Sequence, residues 1–436
     1  MTVQRIMKMA HVASKRLGID ILFLTRSGGW LMLGKFAQSL AVIATATLFA
    51  RFLAPETYGI YKYLLTLGEI TLLATLSGAG VALMRDLSRG REAAAREVLR
   101  LWRLSFLGQA AVALAFAGWY WAHSNTLFAL GVLIAAAGQG AIMWLSRPFY
   151  ILIVKERFDL LTYGSATVPL AQALAVASVL LLSHEEPSPL FLLAAYLTAG
   201  AAAAGAFLFV VSRRLDLFPK PNPDKPHPSW RELFPSLTSL SLSQTLGSVM
   251  PRVEAFLSFQ LLGPAALAAY SFATAIPRQF SFFSKSLEQM QLARSGAHTL
   301  EAKFAAFPRK WWLAFAGSCA IVGAYWVAAP FIFSLLFPQY ISVLPLSQWF
   351  ALAYAFVIPS SAAYTLLVQG GKERCLPYLW GLILAVFVVS ASILAPQLGI
   401  SGVLIASVLG YATYALAGVV SLLFILRHTK ATPRQG

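Results

Sequence analysis

Twelve apolar runs, most of them 20 residues or longer, follow one another at 30–53, 60–84, 101–122, 126–146, 161–182, 189–211, 237–262, 265–292, 310–330, 343–369, 376–396 and 400–426. A helix of about 20 apolar residues rises far enough to cross a hydrocarbon core of ~30 Å. An open sheet cannot cross, because its edge groups go unbonded in lipid, and these runs are too long for barrel strands. The expected fold is therefore an all-α polytopic membrane protein with about 12 transmembrane helices. Composition agrees: only 12% of the residues are charged, against about 25% in soluble domains.

The net charge of +17 raises the question of nucleic acid, and its distribution answers it. The connections 1–29, 85–103, 147–159, 213–231, 293–310, 371–375 and 427–436 hold 28 of the 34 Lys and Arg residues. The alternate connections are short and hold none, although Arg51 and Lys62 flank the first. Basic loops stay on the cytoplasmic side, so both termini are expected in the cytoplasm and no nucleic-acid partner is implied. Residues 1–29 form a basic N-terminal segment, either an amphipathic surface helix or a frayed tail. Residues 213–235 are rich in proline and charge and separate a first lobe, 30–212, from a second, 236–426; a tail, 427–436, follows. Cys319 and Cys375 lie far apart and the six histidines are scattered, so neither a disulfide framework nor a metal site is expected.

The halves repeat. "FLAPETYGIY" (52–61) and "QLLGPAALAAY" (260–270) align Pro55 with Pro264 and Tyr61 with Tyr270 at one offset. "KERFDLLTYG" (155–164) and "KERCLPYLWG" (372–381) occupy matching places before the fifth and eleventh spans. Six spans per half leave both halves pointing the same way, so a pseudo-twofold along the membrane normal is expected. The run "AGAAAAGAF" (199–207) reads as a close helix-packing face.

Charged residues inside apolar spans concentrate in spans one, two, seven and eight: Lys35, Glu69, Arg252, Glu254, Arg278, Lys285 and Glu288. Each costs roughly 2.5–3.5 kcal/mol at the bilayer centre on insertion scales, so such residues face a partner or a wet cavity. At 1.5 Å per residue, Glu69 lies about 14 Å inside its span, and Arg252 and Arg278 about 20 Å inside theirs. Lys35 and Lys285 lie near the basic-loop boundary and can snorkel, and Lys285 and Glu288 are spaced to pair with each other. Arg252 and Glu254 stand on different helical faces, so at least one needs a partner elsewhere. The repeat offset carries Glu69 onto Arg278 and Lys35 onto Gln244. Glu69 and Arg278 are therefore expected to project into one cleft between the lobes, as partners. Pro251 and Pro277, beside the two arginines, either open the cavity wall or are packing kinks. Phe280, Phe282 and Phe283 suit an apolar lining.

The stretches "LFARFLAPETYGIYKYLLTLGEI", "LSGAGVALMRDLSRG", "FLSFQLLGPAALAAYSFA" and "FIFSLLFPQYISVLPL" resemble the polysaccharide exporters of the multidrug/oligosaccharidyl-lipid/polysaccharide superfamily. That resemblance implies two six-helix lobes in a V, in the bacterial inner membrane. It implies a flippase that carries an undecaprenyl-diphosphate-linked oligosaccharide, an O-antigen or exopolysaccharide repeat unit, to the outer leaflet. Matching by helix and depth, Lys35, Arg252 and Arg278, with Lys285, would hold the diphosphate. Glu69, Glu254 and Glu288 would couple transport to H+ or Na+, with no cofactor. Expected partners are the lipid-linked oligosaccharide, membrane lipids, a polysaccharide polymerase and a chain-length regulator, around a monomer.

Two other readings compete. A drug or organic-cation antiporter of the same architecture favours an acidic cavity, whereas the embedded charges here are four cations to three anions. A glycan polymerase or ligase needs an organised catalytic surface. The longest outer connection, 331–342, carries no charge, and Glu185 and Glu186 sit in a six-residue turn. No enzyme activity is expected.

Overall fold

A computed structural model describes residues 29–183, 185–215, 230–281, 300–369 and 376–431, without the side chains at 29–32, 230, 243, 300–310, 361–369, 376 and 422–431. The helices are α1 (Gly29–Phe52), α2 (Pro55–Thr71), α3 (Ala79–Ser88), α4 (Glu92–Ala122), α5 (Thr126–Leu145), α6 (Pro148–Val154), α7 (Phe158–Leu182) and α8 (Pro189–Arg214). The second half holds α9 (Trp230–Leu262), α10 (Pro264–Ala275), α11 (Leu300–Leu336), α12 (Leu344–Gln369), α13 (Leu376–Leu398) and α14 (Ile400–Ala431). No strand occurs among the described residues. The chain is an all-α polytopic membrane protein, as its apolar runs require.

Local chemistry sets the boundaries. Pro55, Pro148, Pro189 and Pro264 open α2, α6, α8 and α10, where the missing N–H costs nothing. Asn125 and Ser188 cap α5 and α8 by accepting from the Phe128 and Phe191 amides, each at 3.3 Å. Gly263 and Gly399, at φ +86° and +60°, let α9–α10 and α13–α14 reverse within single-residue connections.

Nine helices among the described residues are long and apolar enough to span a membrane, and α2 with α3 forms a tenth, bent by 50°. The bend falls at a 3₁₀ turn, Leu72–Ala74, and the segment up to Gly78. The two remaining runs are α9 and α10. The first carries Arg252 and Glu254 and the second stops at Ala275, because Pro277 starts a separate 3₁₀ turn, Pro277–Phe280.

In the first half α1 packs on α7, α7 on α8, and α5 touches α2, α4 and α8. In the second, α13 packs on α14, α11 on α12, α12 on α14, and α9 on α13. The seam between halves is α2 against α10 and α9, with α3 and α4 also reaching α9. The small-residue run behaves as expected: a Cβ on Gly200 would lie 2.6 Å from Gln172 Nε2 on α7.

Close backbone approach defines the seam at two points. A Cβ on Gly59 would fall 2.0 Å from the Pro264 carbonyl oxygen, and one on Gly78 2.5 Å from the Ser241 nitrogen. Only glycine permits either contact. Gly59→Val is expected to prise α2 from α10 and lower the melting temperature by about 5 °C. An unchanged transition would mean that the two helices do not meet there.

Candidate functional site at the seam between the two halves

One stripe of α9 faces the first half. Leu233, Leu237, Ser241, Thr245, Ser248, Arg252, Phe256 and Phe259 are separated by three or four residues each, the spacing of a single helical face. Its chemistry changes along its length: apolar, then hydroxyl, then a cation, then aromatic.

At the aromatic end Phe259 stacks on Tyr63 of α2, with ring centroids 3.8 Å apart and planes within 10°. Gln260 Nε2 donates to the Tyr63 hydroxyl at 2.6 Å, and that hydroxyl also pairs with Tyr120 at 2.7 Å. Tyr58 stacks on Phe272 of α10, 4.7 Å between centroids. Arg51 donates to the Leu335 carbonyl of α11 at 2.5 Å. Glu186 accepts from the Ala54 amide at 2.9 Å, so this loop carboxylate ties down the start of α2.

In the middle, Arg252 Nε lies 3.3 Å from Glu69 Oε2, an ion pair across the seam. Glu69 remains 42% exposed and Arg252 19%. A second guanidinium nitrogen donates to the Ser248 carbonyl at 2.6 Å. Pro251, one residue away, deprives the Gly247 carbonyl of its helical donor. The proline and the arginine thus act on adjacent carbonyls of the same helix wall.

The second ion pair is different. Arg278 bonds Glu254, which is fully buried, while Arg278 keeps 25% exposure. Tyr270 donates to the same carboxylate oxygen at 2.7 Å and accepts from Arg278 at 3.1 Å. Tyr354 and Tyr411 lie within electrostatic reach. Glu254 Oε1 has no hydrogen-bond partner among the described residues. Phe280 packs edge-on to Tyr325 and Tyr354, within the second half.

The expected pairing of Glu69 with Arg278 is therefore corrected: Glu69 takes Arg252, and Arg278 takes Glu254. The repeat placed the two residues on equivalent helices at equivalent depth. The end of α10 at Ala275 and the 3₁₀ turn from Pro277 reset the helical phase, and the Arg278 side chain folds back along α10 to Tyr270. The argument that Arg252 and Glu254 need separate partners holds for both. Lys35 donates to Gln38 on its own helix at 3.3 Å and stands outside the two ion pairs. Lys285, Glu288, Phe282 and Phe283 lie outside the described residues.

One cation was overlooked. Lys62 lies two turns from Glu69 on α2, half-buried, within electrostatic reach of Glu69 and Arg278. It forms no ion pair among the described residues. Its nearness to a span end made it read as a flanking charge. The seven-residue spacing to Glu69 was the available signal, since it puts both on one face. The middle of the seam thus gathers three cations, Lys62, Arg252 and Arg278, and two anions, Glu69 and Glu254. No group of three His, Cys, Asp or Glu side chains fit to hold a metal occurs among the described residues.

No curated protein sequence matches the chain. Solved structures do. A multidrug resistance MATE family transporter of the MOP superfamily in an outward-facing conformation superposes with a TM-score of 0.66 at 17% identity, covering 94% of this chain and 96% of that one. Its inward-facing counterpart gives 0.65 at 17%, covering 91% and 96%. A MATE structure in the straight conformation gives 0.67 at 18%, covering 94% and 96%. At these identities the likeness establishes that the chain shares the fold of those proteins. The family model described as "Polysaccharide biosynthesis protein" matches residues 24–287, more than half of the chain, and the chain belongs to that family.

Proposed function

We propose that the protein is a flippase that moves an undecaprenyl-diphosphate-linked oligosaccharide across the bacterial inner membrane by alternating access. The observation that carries this reading is the cation excess at the seam. Arg252 is bound to a carboxylate of the other half, and Lys62 has no carboxylate partner among the described residues. When the halves part, both become available to an anion. A diphosphate offers strong acceptor oxygens that suit the forked donors of arginine, and the seam can shelter a sugar head while the prenyl chain stays in lipid.

Glu69 is the better coupling candidate of the two described carboxylates. It is half-exposed, and a proton or sodium ion reaching it would release Arg252. Glu254 is fully buried and one of its oxygens is held by Arg278 and Tyr270. Glu69→Gln is expected to leave the protein folded and to make transport insensitive to the ion gradient, measured as glycan translocation in vesicles with and without an imposed gradient. Retained gradient dependence would remove Glu69 from this role.

The test of the substrate is deletion of the gene in its host, followed by extraction of lipid-linked saccharide. Accumulation of the intermediate with loss of surface glycan supports the reading; unchanged surface glycan would end it. The second reading is an organic-cation antiporter, favoured by the MATE structures that share this fold. It predicts sensitivity to cationic dyes in the deletion strain, with normal glycan. Association with a polymerase and a chain-length regulator remains part of the proposal, to be read by co-purification.

A further inference from the structure

The seam is closed at two ends by unlike chemistry. At the end of α2 that precedes Glu69, the closure is aromatic: Tyr63 on Phe259, Tyr58 on Phe272 and the glycine contact at Pro264. These rings belong to one core that runs through both halves. At the other end, beside the basic loops, the closure is mainly hydroxyls. Ser77 pairs with Thr245 at 2.9 Å and donates to the Ser241 carbonyl at 3.1 Å. The Gly78 amide donates to the Ser241 hydroxyl at 3.1 Å. Arg85 donates to the Ser236 hydroxyl at 2.8 Å while its Nε bonds the buried Asp86. Leu233 and Leu237 of α9 seat in a smaller core formed by α3, α4 and α6.

Water can replace the hydroxyl bonds one for one as the halves separate, so the hold at this end comes mainly from Leu233, Leu237 and Leu240 in the smaller core. Parting the aromatic end instead exposes large apolar rings and loses their stacking. The residues on the first-half side of the hydroxyl closure, Ser77 and Gly78, also sit in the break between α2 and α3, where the span bends by 50°. Segments without continuous helical hydrogen bonds absorb dihedral change most readily. Asp86 is a positioning residue here: Arg85 and Arg91 both bond its Oδ1, which holds Arg85 toward Ser236.

We propose that Ser77, Gly78 and Arg85, closing on Ser236, Ser241 and Thr245, form a gate at the basic-loop end of the seam, and that this gate opens before the aromatic end. The gate hinges on the break between α2 and α3. It admits water and a polar headgroup to Arg252 from that side. The proposal rests on the reading of the protein as an alternating-access transporter, but not on which solute it carries.

The test uses the full chain in membrane vesicles of both orientations, with Cys319 and Cys375 replaced by serine and a thiol introduced by Ser248→Cys. Ser248 lies between the hydroxyl closure and Arg252 on the same stripe. A water-soluble maleimide is added and labelling at position 248 is read by mass spectrometry. Labelling is expected from the basic-loop face and to be far slower from the opposite face. Adding Ser77→Cys and Thr245→Cys should give a disulfide under oxidation that stops labelling at 248, and reductant should restore it. Ser77→Ala with Thr245→Val, which deletes both hydroxyls of the pair, should speed labelling about tenfold. A disulfide that forms but leaves labelling unchanged would overturn the gate, as would a folded protein in which no disulfide forms, or faster labelling from the aromatic face. No readout involves glycan, so failure of the substrate assignment would leave these outcomes intact.

Discussion

Arg252→Ala is expected to abolish export of surface glycan while the amount of protein in the membrane stays near normal. Arg252 is the deep cation whose carboxylate partner lies across the seam, and that partner, Glu69, is 42% exposed. Removing the arginine leaves Glu69 outside the protein core rather than stranded within it, so the folding cost is small. The functional cost is large, because a charge-assisted, two-pronged contact to an anionic headgroup disappears; such contacts are roughly twice as strong as neutral ones. Arg252→Lys should keep the charge and lose the fork, and export should fall without vanishing. Lys62→Ala should weaken export to a similar partial extent. The measurement is surface polysaccharide per unit of membrane-inserted protein. Wild-type glycan in Arg252→Ala cells would remove the headgroup from this part of the seam.

Arg278→Ala is expected to act through stability instead. Its partner Glu254 is fully buried, and one of its oxygens has no hydrogen-bond partner among the described residues. Breaking one side of a buried pair leaves an uncompensated charge and costs on the order of 3–5 kcal/mol. The melting temperature should fall by about 10 °C, with a matching loss of protein in the membrane. Replacing both partners, Glu254→Gln with Arg278→Met, should recover most of that loss, because a neutral pair of similar volume avoids the unpaired charge. Full thermal stability in the single variant would show that the two side chains do not depend on each other. The resemblance implied the same diphosphate-holding role for both arginines; burial separates them.

Much of the site was legible because burying charge in lipid is expensive. That rule picked out Glu69, Arg252, Glu254 and Arg278 from position and depth, and the structure places all four in two ion pairs at or beside the seam. It could not say which carboxylate meets which arginine. Depth and repeat equivalence specify helix and height, whereas pairing depends on azimuth, and the break at Ile276 turns Arg278 away from its expected partner. Lys62 was missed for a related reason: nearness to a span end looked like snorkelling, while the fold covers that end with Tyr58, Tyr61 and the second half. The Ser241–Thr245–Ser248 stripe was visible in the spacing but carried no charge to attract notice.

By itself the sequence determined that this chain crosses the membrane many times as helices, in two like-oriented halves. Backbone amides have no alternative to internal hydrogen bonds in hydrocarbon, and hydrophobic length and basic loops are one-dimensional properties. Only the tertiary structure decided which faces meet at the seam, how the four deep charges divide into one bond between halves and one within a half, and that the two ends of the seam are closed by different chemistry. Those outcomes depend on helix rotation, on breaks in two spans and on glycines that admit a neighbouring backbone, and each is settled by packing between segments far apart in the chain.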